Sequence, residues 1–184
     1  PKVNKAVGVD VGLNSFCTLS TGEQVDNPRF FRADKKALAR AQRQKRRKVA
    51  RRIHERIKFR RNNFAHQLSH ALVSVYSVIF FEDLNIKGMV RNHHLALSIS
   101  DAAWNQLISF SSYKAANAGR ICEQVDPRGT SQECSACGAT VVKDLSQRVH
   151  NCLCGLTLDR DVNAARNILS RGLARVGNNA KEAA

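Results

Sequence analysis

From Ala33 to Tyr76 the chain contains neither glycine nor proline, and no ordinary loop runs that far without one of them. Helix is the conformation left. In the second half of this stretch Val49, Ile53, Ile57, Phe64, Leu68, Leu72 and Val75 recur at spacings of three, four or seven, the period of an amphipathic helix. The other faces of that helix are basic. Residues 35 to 61 hold 14 Lys and Arg against Glu55 alone, a local charge of +13. The whole chain carries +15, so the remainder is nearly neutral. A solvated helix face mixes both signs, whereas a concentrated block of one sign is the footprint of a phosphate-backbone binder. Arg43, Lys45, Arg46, Arg47, Lys48, Arg51 and Arg52 are the candidate contacts. A membrane-surface helix needs aromatic anchors, and Phe59 is the one aromatic in the block.

The sequence on either side reads as sheet. "AVGVDVG", "SFCTLS" and "EQVDNPRFFR" are three short strands joined by tight turns, an antiparallel meander. "VYSVIFFEDLN", residues 75 to 85, is a fourth and buried strand whose end carries Glu82 and Asp83. Gly88 to Ser100 reads as an irregular connection, with His93 and His94 as solvated polar residues or acid–base groups. Ser100 is placed to cap a helix over 101 to 118 that turns Ala103, Leu107, Phe110 and Ala115 inward, and Trp104 belongs to the core. "RICEQVD" is the last strand, and "DVNAARNILSRGL" a helix with Ala164, Ile168 and Leu169 facing inward. The tail beyond Ala174 is small and polar and is expected to fray.

This order, β-β-β-α-β-α-β-insert-α, predicts one mixed α/β sheet flanked by helices, the order of an RNase H-like fold. The expected organisation is a nuclease-like core over 1–126, a cysteine-bearing insert over 127–158, a final helix over 159–173 and a flexible tail over 174–184. With 184 residues, 43% of them hydrophobic, the chain can bury one core and carry a small module. It has no apolar run of about 18 residues and nothing resembling an export signal at Pro1–Lys5, so a cytoplasmic protein is expected.

One residue breaks the first strand's apolar pattern. Asp10 lies among Val7, Val9, Val11 and Leu13, and burying a lone carboxylate is costly unless something positive meets it. A turn-capping aspartate is the plain reading; a metal ligand with partners elsewhere is the sharper one. In the expected sheet the first and fourth strands are neighbours, so Asp10 and Glu82 would face each other. Asp161, opening the last helix, would approach them. Carboxylates held together need a cation, and Mg²⁺ or Mn²⁺ suits such oxygen donors. Divalent ions there can activate water against a phosphodiester. Asp83 competes with Glu82, but strand alternation turns one of the two away. Asp159 competes with Asp161.

Of six cysteines, Cys134, Cys137, Cys152 and Cys154 cluster in "CSACG" and "HNCLCG". Two glycine-followed knuckles separated by 14 residues suit a structural Zn²⁺ ribbon with four thiolates. The second knuckle is one residue short, which leaves His150 as a substitute ligand.

Together "GVDVGLNSF", "FFEDLNIKGM", "VDPRGTSQECSACG" and "CGLTLDRDVNAARNIL" resemble the C-terminal half of TnpB, the transposon-encoded RNA-guided nucleases related to type V CRISPR effectors. The resemblance runs from about Lys5 to Leu173. It implies a RuvC-like nuclease interrupted by a zinc ribbon, cutting DNA under a guide RNA. By motif, Asp10, Glu82 and Asp161 match the three catalytic, metal-binding acids, and Arg128 is a candidate phosphate contact. Three departures accompany it. No guide-recognition region corresponds to these residues, so the chain reads as a nuclease half. The basic region lacks the loop that usually divides it, so its hairpin is shortened or fused into one helix. The second cysteine knuckle is short. Two rivals remain: a nucleic-acid-binding module without catalysis, and an actin-like ATPase, whose second lobe and second phosphate loop find no room here.

Overall fold

The computed structural model describes residues 5–89, 91–144 and 146–182, without the side chains of 87, 93, 94 and 178–182. The strands are β1 (Ala6–Val11), β2 (Ser15–Leu19), β3 (Gln24–Asp26), β4 (Val78–Glu82), β5 (Ile121–Val125), β6 (Val149–Asn151) and β7 (Thr157–Asp159). The helices are α1 (Phe30–Arg43), α2 (Arg47–Val75), α3 (Ile86–Met89), α4 (His93–Ala102), α5 (Trp104–Asn117) and α6 (Arg160–Glu182). Five strands form one sheet in the order β3-β2-β1-β4-β5, and β6 pairs with β7 in a separate ribbon. The first three strands are antiparallel, while β1–β4 and β4–β5 are parallel. The mixed sheet and the order of its five strands are as expected, but two helices rather than one separate β3 from β4, and three rather than one separate β4 from β5.

Strand alternation sorts the sheet into two faces. Val7, Val9, Val11, Ile79 and Phe81 enter the main core with Leu72, Val73, Trp104, Leu107 and Ala115 from α2 and α5. Val78, Phe80 and Val125 enter a second core with Ile168 of α6. Each fully buried aromatic such as Phe80 or Phe81 is worth about 1.5–3 kcal/mol of transfer free energy. The face toward α6 is kept clear by glycine. A Cβ at Gly8 would stand 2.1 Å from the Ala165 carbonyl oxygen, and one at Gly172 would stand 2.2 Å from the Phe80 ring. The helix backbone therefore rides directly on β1 and β4, which fixes where its first turn lies.

The basic region is a shortened hairpin. Gln44, Lys45 and Arg46 separate α1 from α2, with Lys45 in the left-handed region at φ 50°. Leu38, Ala41, Ile53 and Ile57 give the hairpin its own small core. Asp101 ties it down: its buried carboxylate accepts the Phe31 and Arg32 N–H groups at 2.8 and 3.4 Å and pairs with Arg61 at 2.7 Å. Capping at the start of α1 explains why Phe30, Phe31 and Arg32 are helical rather than part of the third strand, which ends at Asp26.

Other boundaries also differ from expectation. Gly88–Ser100 is largely helical, supplying the end of α3 and most of α4. Ser100 lies inside α4 rather than capping a helix. The break comes at Ala103, with φ 55°, and α5 begins at Trp104. Helix α6 runs past Ala174 to Glu182. The side chains of His93 and His94 lie outside the described residues. Among the described residues no helix is long and apolar enough to cross a membrane.

Candidate functional site

Asp10 and Glu82 each stand one residue beyond the registered pair Val9–Phe81, on adjacent parallel strands. Both therefore project to the same face, the one α6 covers. Glu82 is 6% exposed, whereas Asp83 is exposed and turned away. Asp161 lies in the first turn of α6. Asp159 caps that helix instead, its Oδ1 accepting the N–H groups of Asp161 and Val162 at 2.9 and 3.2 Å.

The neighbouring acids are felt at Asp10. Burial, then the charges of Glu82 and Asp161, with Asp159 adding less, raise the Asp10 pKa well above the ordinary 3.8, and Arg160 opposes them. Burial also raises Glu82, against a hydrogen bond from Thr130 and the charge of Arg171. A buried carboxylate pressed by the charges of two neighbouring acids could be relieved by a hard divalent cation. Asp161 is flanked by Arg160 at 3.3 Å and Arg148 at 3.8 Å.

The four sulfurs form a second site. Cys134, Cys137, Cys152 and Cys154 have ligand atoms all within 4.8 Å of one another. Cys134–Cys154 and Cys137–Cys152 are 3.7 and 3.6 Å apart. A tetrahedral ion with metal–sulfur bonds of about 2.3 Å separates its sulfurs by about 3.8 Å, so the quartet can hold a metal ion. The short second knuckle closes because Gly155 adopts φ 91° and the Cys152 N–H bonds the Leu156 carbonyl at 2.9 Å. Burial opposes the Cys134 thiolate, but the N–H groups of Ala136 and Cys137, with His150 and Cys152, draw its pKa down to about 5. Against the lowering Ala139 N–H, the neighbouring sulfurs push Cys137 up to about 12. Four adjacent thiolates would repel one another, and a bound cation would relieve that repulsion. His150 is fully buried outside the quartet, its Nδ1 against the Lys143 ammonium.

The segment joining the two sites is held by α6. Asn163, Asn167 and Arg171, four residues apart, share one helix face. Asn163 Nδ2 donates to the Glu133 carbonyl at 2.7 Å and its Oδ1 accepts the Ser135 N–H at 3.0 Å. Asn167 Nδ2 donates to the carbonyls of Thr130 and Glu133 at 2.8 and 2.7 Å. Arg171 bonds the Asp126 and Arg128 carbonyls and the Glu133 carboxylate. From within this segment the Thr130 hydroxyl donates to Glu82. Sequence reasoning does not single out Thr130 or this stripe; the i, i+4, i+8 spacing of Asn163, Asn167 and Arg171 is the signal that could have found it.

Arg43, Lys45, Arg46, Arg47, Lys48, Arg51 and Arg52 are all exposed at the tip of the α1–α2 hairpin. Arg128 is 91% exposed in its side chain and pairs with Asp126 at 3.7 Å.

Comparison with known proteins matches two parts of the chain. A family model described as "Probable transposase" matches residues 1–93, and one described as "Cas12f1-like, TNB domain" matches residues 104–168. A Streptomyces pristinaespiralis protein named "Putative RNA-guided DNA endonuclease" is 44% identical over 189 residues, covering 95% of this chain and 47% of that protein. The Escherichia coli K12 protein named "Putative RNA-guided DNA endonuclease InsQ" is 32% identical, covering 91% of this chain and 49% of its own length. Cas12f1, solved as a complex with sgRNA and target DNA, shares the fold with a TM-score of 0.68 at 20% identity, over 92% of this chain and 50% of that one. The chain spans about half the length of the curated relatives it matches. With a transposase model matched over half of its residues and curated relatives of this kind along nearly its full length, the chain belongs to the TnpB family.

Proposed function

We propose that this chain is the nuclease part of an RNA-guided DNA endonuclease, with a RuvC-like, RNase H-like core over 1–126 and 159–173 and a zinc ribbon inserted over 127–158. What supports the reading is that Asp10 and Glu82 stand side by side in register on β1 and β4, on the face α6 covers, with Asp161 in the first turn of that helix and its charge felt at Asp10. These three carboxylates would hold Mg²⁺ or Mn²⁺, and the ion, when bound, would supply activation of water and neutralisation of the leaving oxygen. Asp159 fixes the helix turn that presents Asp161, and Arg148 and Arg160 pair with Asp161 from either side. The hairpin arginines and lysines, with Arg128, hold the nucleic-acid backbone. Cys134, Cys137, Cys152 and Cys154 hold structural zinc and take no part in the reaction. DNA is the proposed substrate and a guide RNA the proposed partner of the longer protein.

The test is cleavage of labelled single-stranded DNA with Mg²⁺ or Mn²⁺, beside EDTA and Asp10→Ala. Losing a metal ligand should cost more than losing an outer partner of one, so the expected drop exceeds about 100-fold. DNA binding without cleavage in the wild type, unchanged by Asp10→Ala, would support a non-catalytic binding module instead.

A further inference from the structure

We propose that Thr130 is a positioning residue for Glu82, holding its carboxylate in the orientation that binds a divalent cation; this rests on the reading of Glu82 as a metal ligand. The hydroxyl of Thr130 meets both the Glu82 Oε1 and, at 3.1 Å, the Pro127 carbonyl. A hydroxyl has one proton, and a bond to a carboxylate is the stronger of the two. Both partners are buried, Thr130 at 4% and Glu82 at 6% exposure, so solvent does not compete for the bond. The carboxylate would otherwise rotate about its last torsion, which is broad.

Thr130 is itself fixed from outside the sheet. Asn167 grips its carbonyl, and Arg171 grips the carbonyls on both sides of Pro127. Gly129, at φ 75°, makes the turn that brings the threonine over the sheet. The first cysteine knuckle begins shortly after, at Cys134. One face of α6 thus holds the segment that aims the second acid, while the first turn of the same helix carries the third. Outer partners of metal ligands are worth about 10–100-fold in metal affinity.

The experiment is a Mn²⁺ titration of the zinc-loaded chain, followed by calorimetry and by disappearance of the free-Mn²⁺ spin-resonance signal. Wild type, Thr130→Val, Thr130→Ser, Asn167→Ala and Asp10→Ala are compared at equal zinc content and with melting temperatures recorded. Thr130→Val is expected to weaken Mn²⁺ binding about 10-fold, with Thr130→Ser restoring it to within about twofold. Asn167→Ala should fall between them. Wild-type affinity in a folded Thr130→Val, with binding lost in Asp10→Ala, would overturn the positioning role alone. A wild type that binds no more Mn²⁺ than Asp10→Ala would overturn the underlying metal site and the proposal with it. Equal weakening in Thr130→Ser and Thr130→Val would also overturn it, because the serine keeps the hydroxyl.

Discussion

The chain carries two clusters of ligating groups, and they are assembled in opposite ways. The four cysteines lie within 21 residues of sequence, and one pair of knuckles brings them together. The three acids come from β1, from the end of β4 and from the start of α6, with most of the chain between the first and the last. The cysteine site is a product of local turns. The acid site is a product of the whole sheet, and specifically of how closely α6 approaches β1 at Gly8. On the proposed reading, the local cluster depends on a cation to hold its turns together, whereas the distributed one depends on the sheet and α6 that carry it.

The largest effect should come from stripping the cysteine site. Chelating the metal, or substituting Cys134→Ser, should remove several kcal/mol of binding-linked folding energy from residues 127–158. Hydrogen exchange should then lose protection across β6 and β7 while β1, β4 and β5 keep theirs. Simultaneous loss in the five-stranded sheet would break the distinction between a local and a global site. Gly8→Ala is the complementary perturbation. Its methyl cannot coexist with the Ala165 carbonyl at 2.1 Å, so α6 must lift at a cost of about 3 kcal/mol. Thermal denaturation should report that loss, and metal affinity at the acids should fall while zinc content stays whole.

A smaller effect, of opposite sign, is expected from Asp10→Asn in EDTA. The folded Asp10 carboxyl titrates well above its unfolded value of 3.8 because of burial and then the neighbouring acids. The native state therefore holds a proton that the unfolded state has released, and stability is lost as pH rises from about 4 through the folded value. Asn removes that loss, so the variant should melt higher than wild type near neutral pH and at the same temperature in acid. Denaturation curves across pH check the crossing. A variant less stable at every pH would show that the carboxylate is compensated by something other than a metal. The smallest structural effect belongs to the hairpin. Replacing Arg46, Arg47, Arg51 and Arg52 by alanine should leave the melting temperature nearly unchanged. The salt slope of DNA binding should fall by about 0.7–0.9 for each phosphate no longer neutralised. Those arginines are exposed, and the ion pair of Arg51 with Glu55 at 3.4 Å lies at the surface, where it adds little.

Legibility in the sequence follows the same division. The cysteine quartet can be read from spacing, because its geometry is local. Asp10 can be read as a break in an apolar strand, whereas alternation says only that Glu82 and Asp83 face opposite ways, and in so apolar a strand the family resemblance, not the period, favours Glu82. The breaks in the helices cannot. Lys45 and Ala103 adopt φ 50° and 55° without glycine, asparagine or proline to announce it, and tertiary contacts, such as Asp101 with Arg61, decide where those helices stop. The Gly88–Ser100 stretch misleads for a related reason. Its glycine and polar residues resemble a loop, but Ile99 and Ala102 anchor α4 in the main core. The clasp of Asn163, Asn167 and Arg171 on the insert depends on a pairing across 30 to 45 residues; their i, i+4, i+8 spacing marks a shared helix face but not the segment that face holds.

Two sites of different chemistry thus stand on one fold, thiolates suited to zinc and carboxylates suited to a hard divalent ion. Anomalous diffraction from crystals grown with zinc and soaked in Mn²⁺, recorded at both absorption edges, separates the two ions in a single experiment. A zinc peak is expected among Cys134, Cys137, Cys152 and Cys154, and a manganese peak among Asp10, Glu82 and Asp161. Manganese bound elsewhere, with the three acids left bare at saturating concentration, would contradict the assignment of the carboxylates as a metal site.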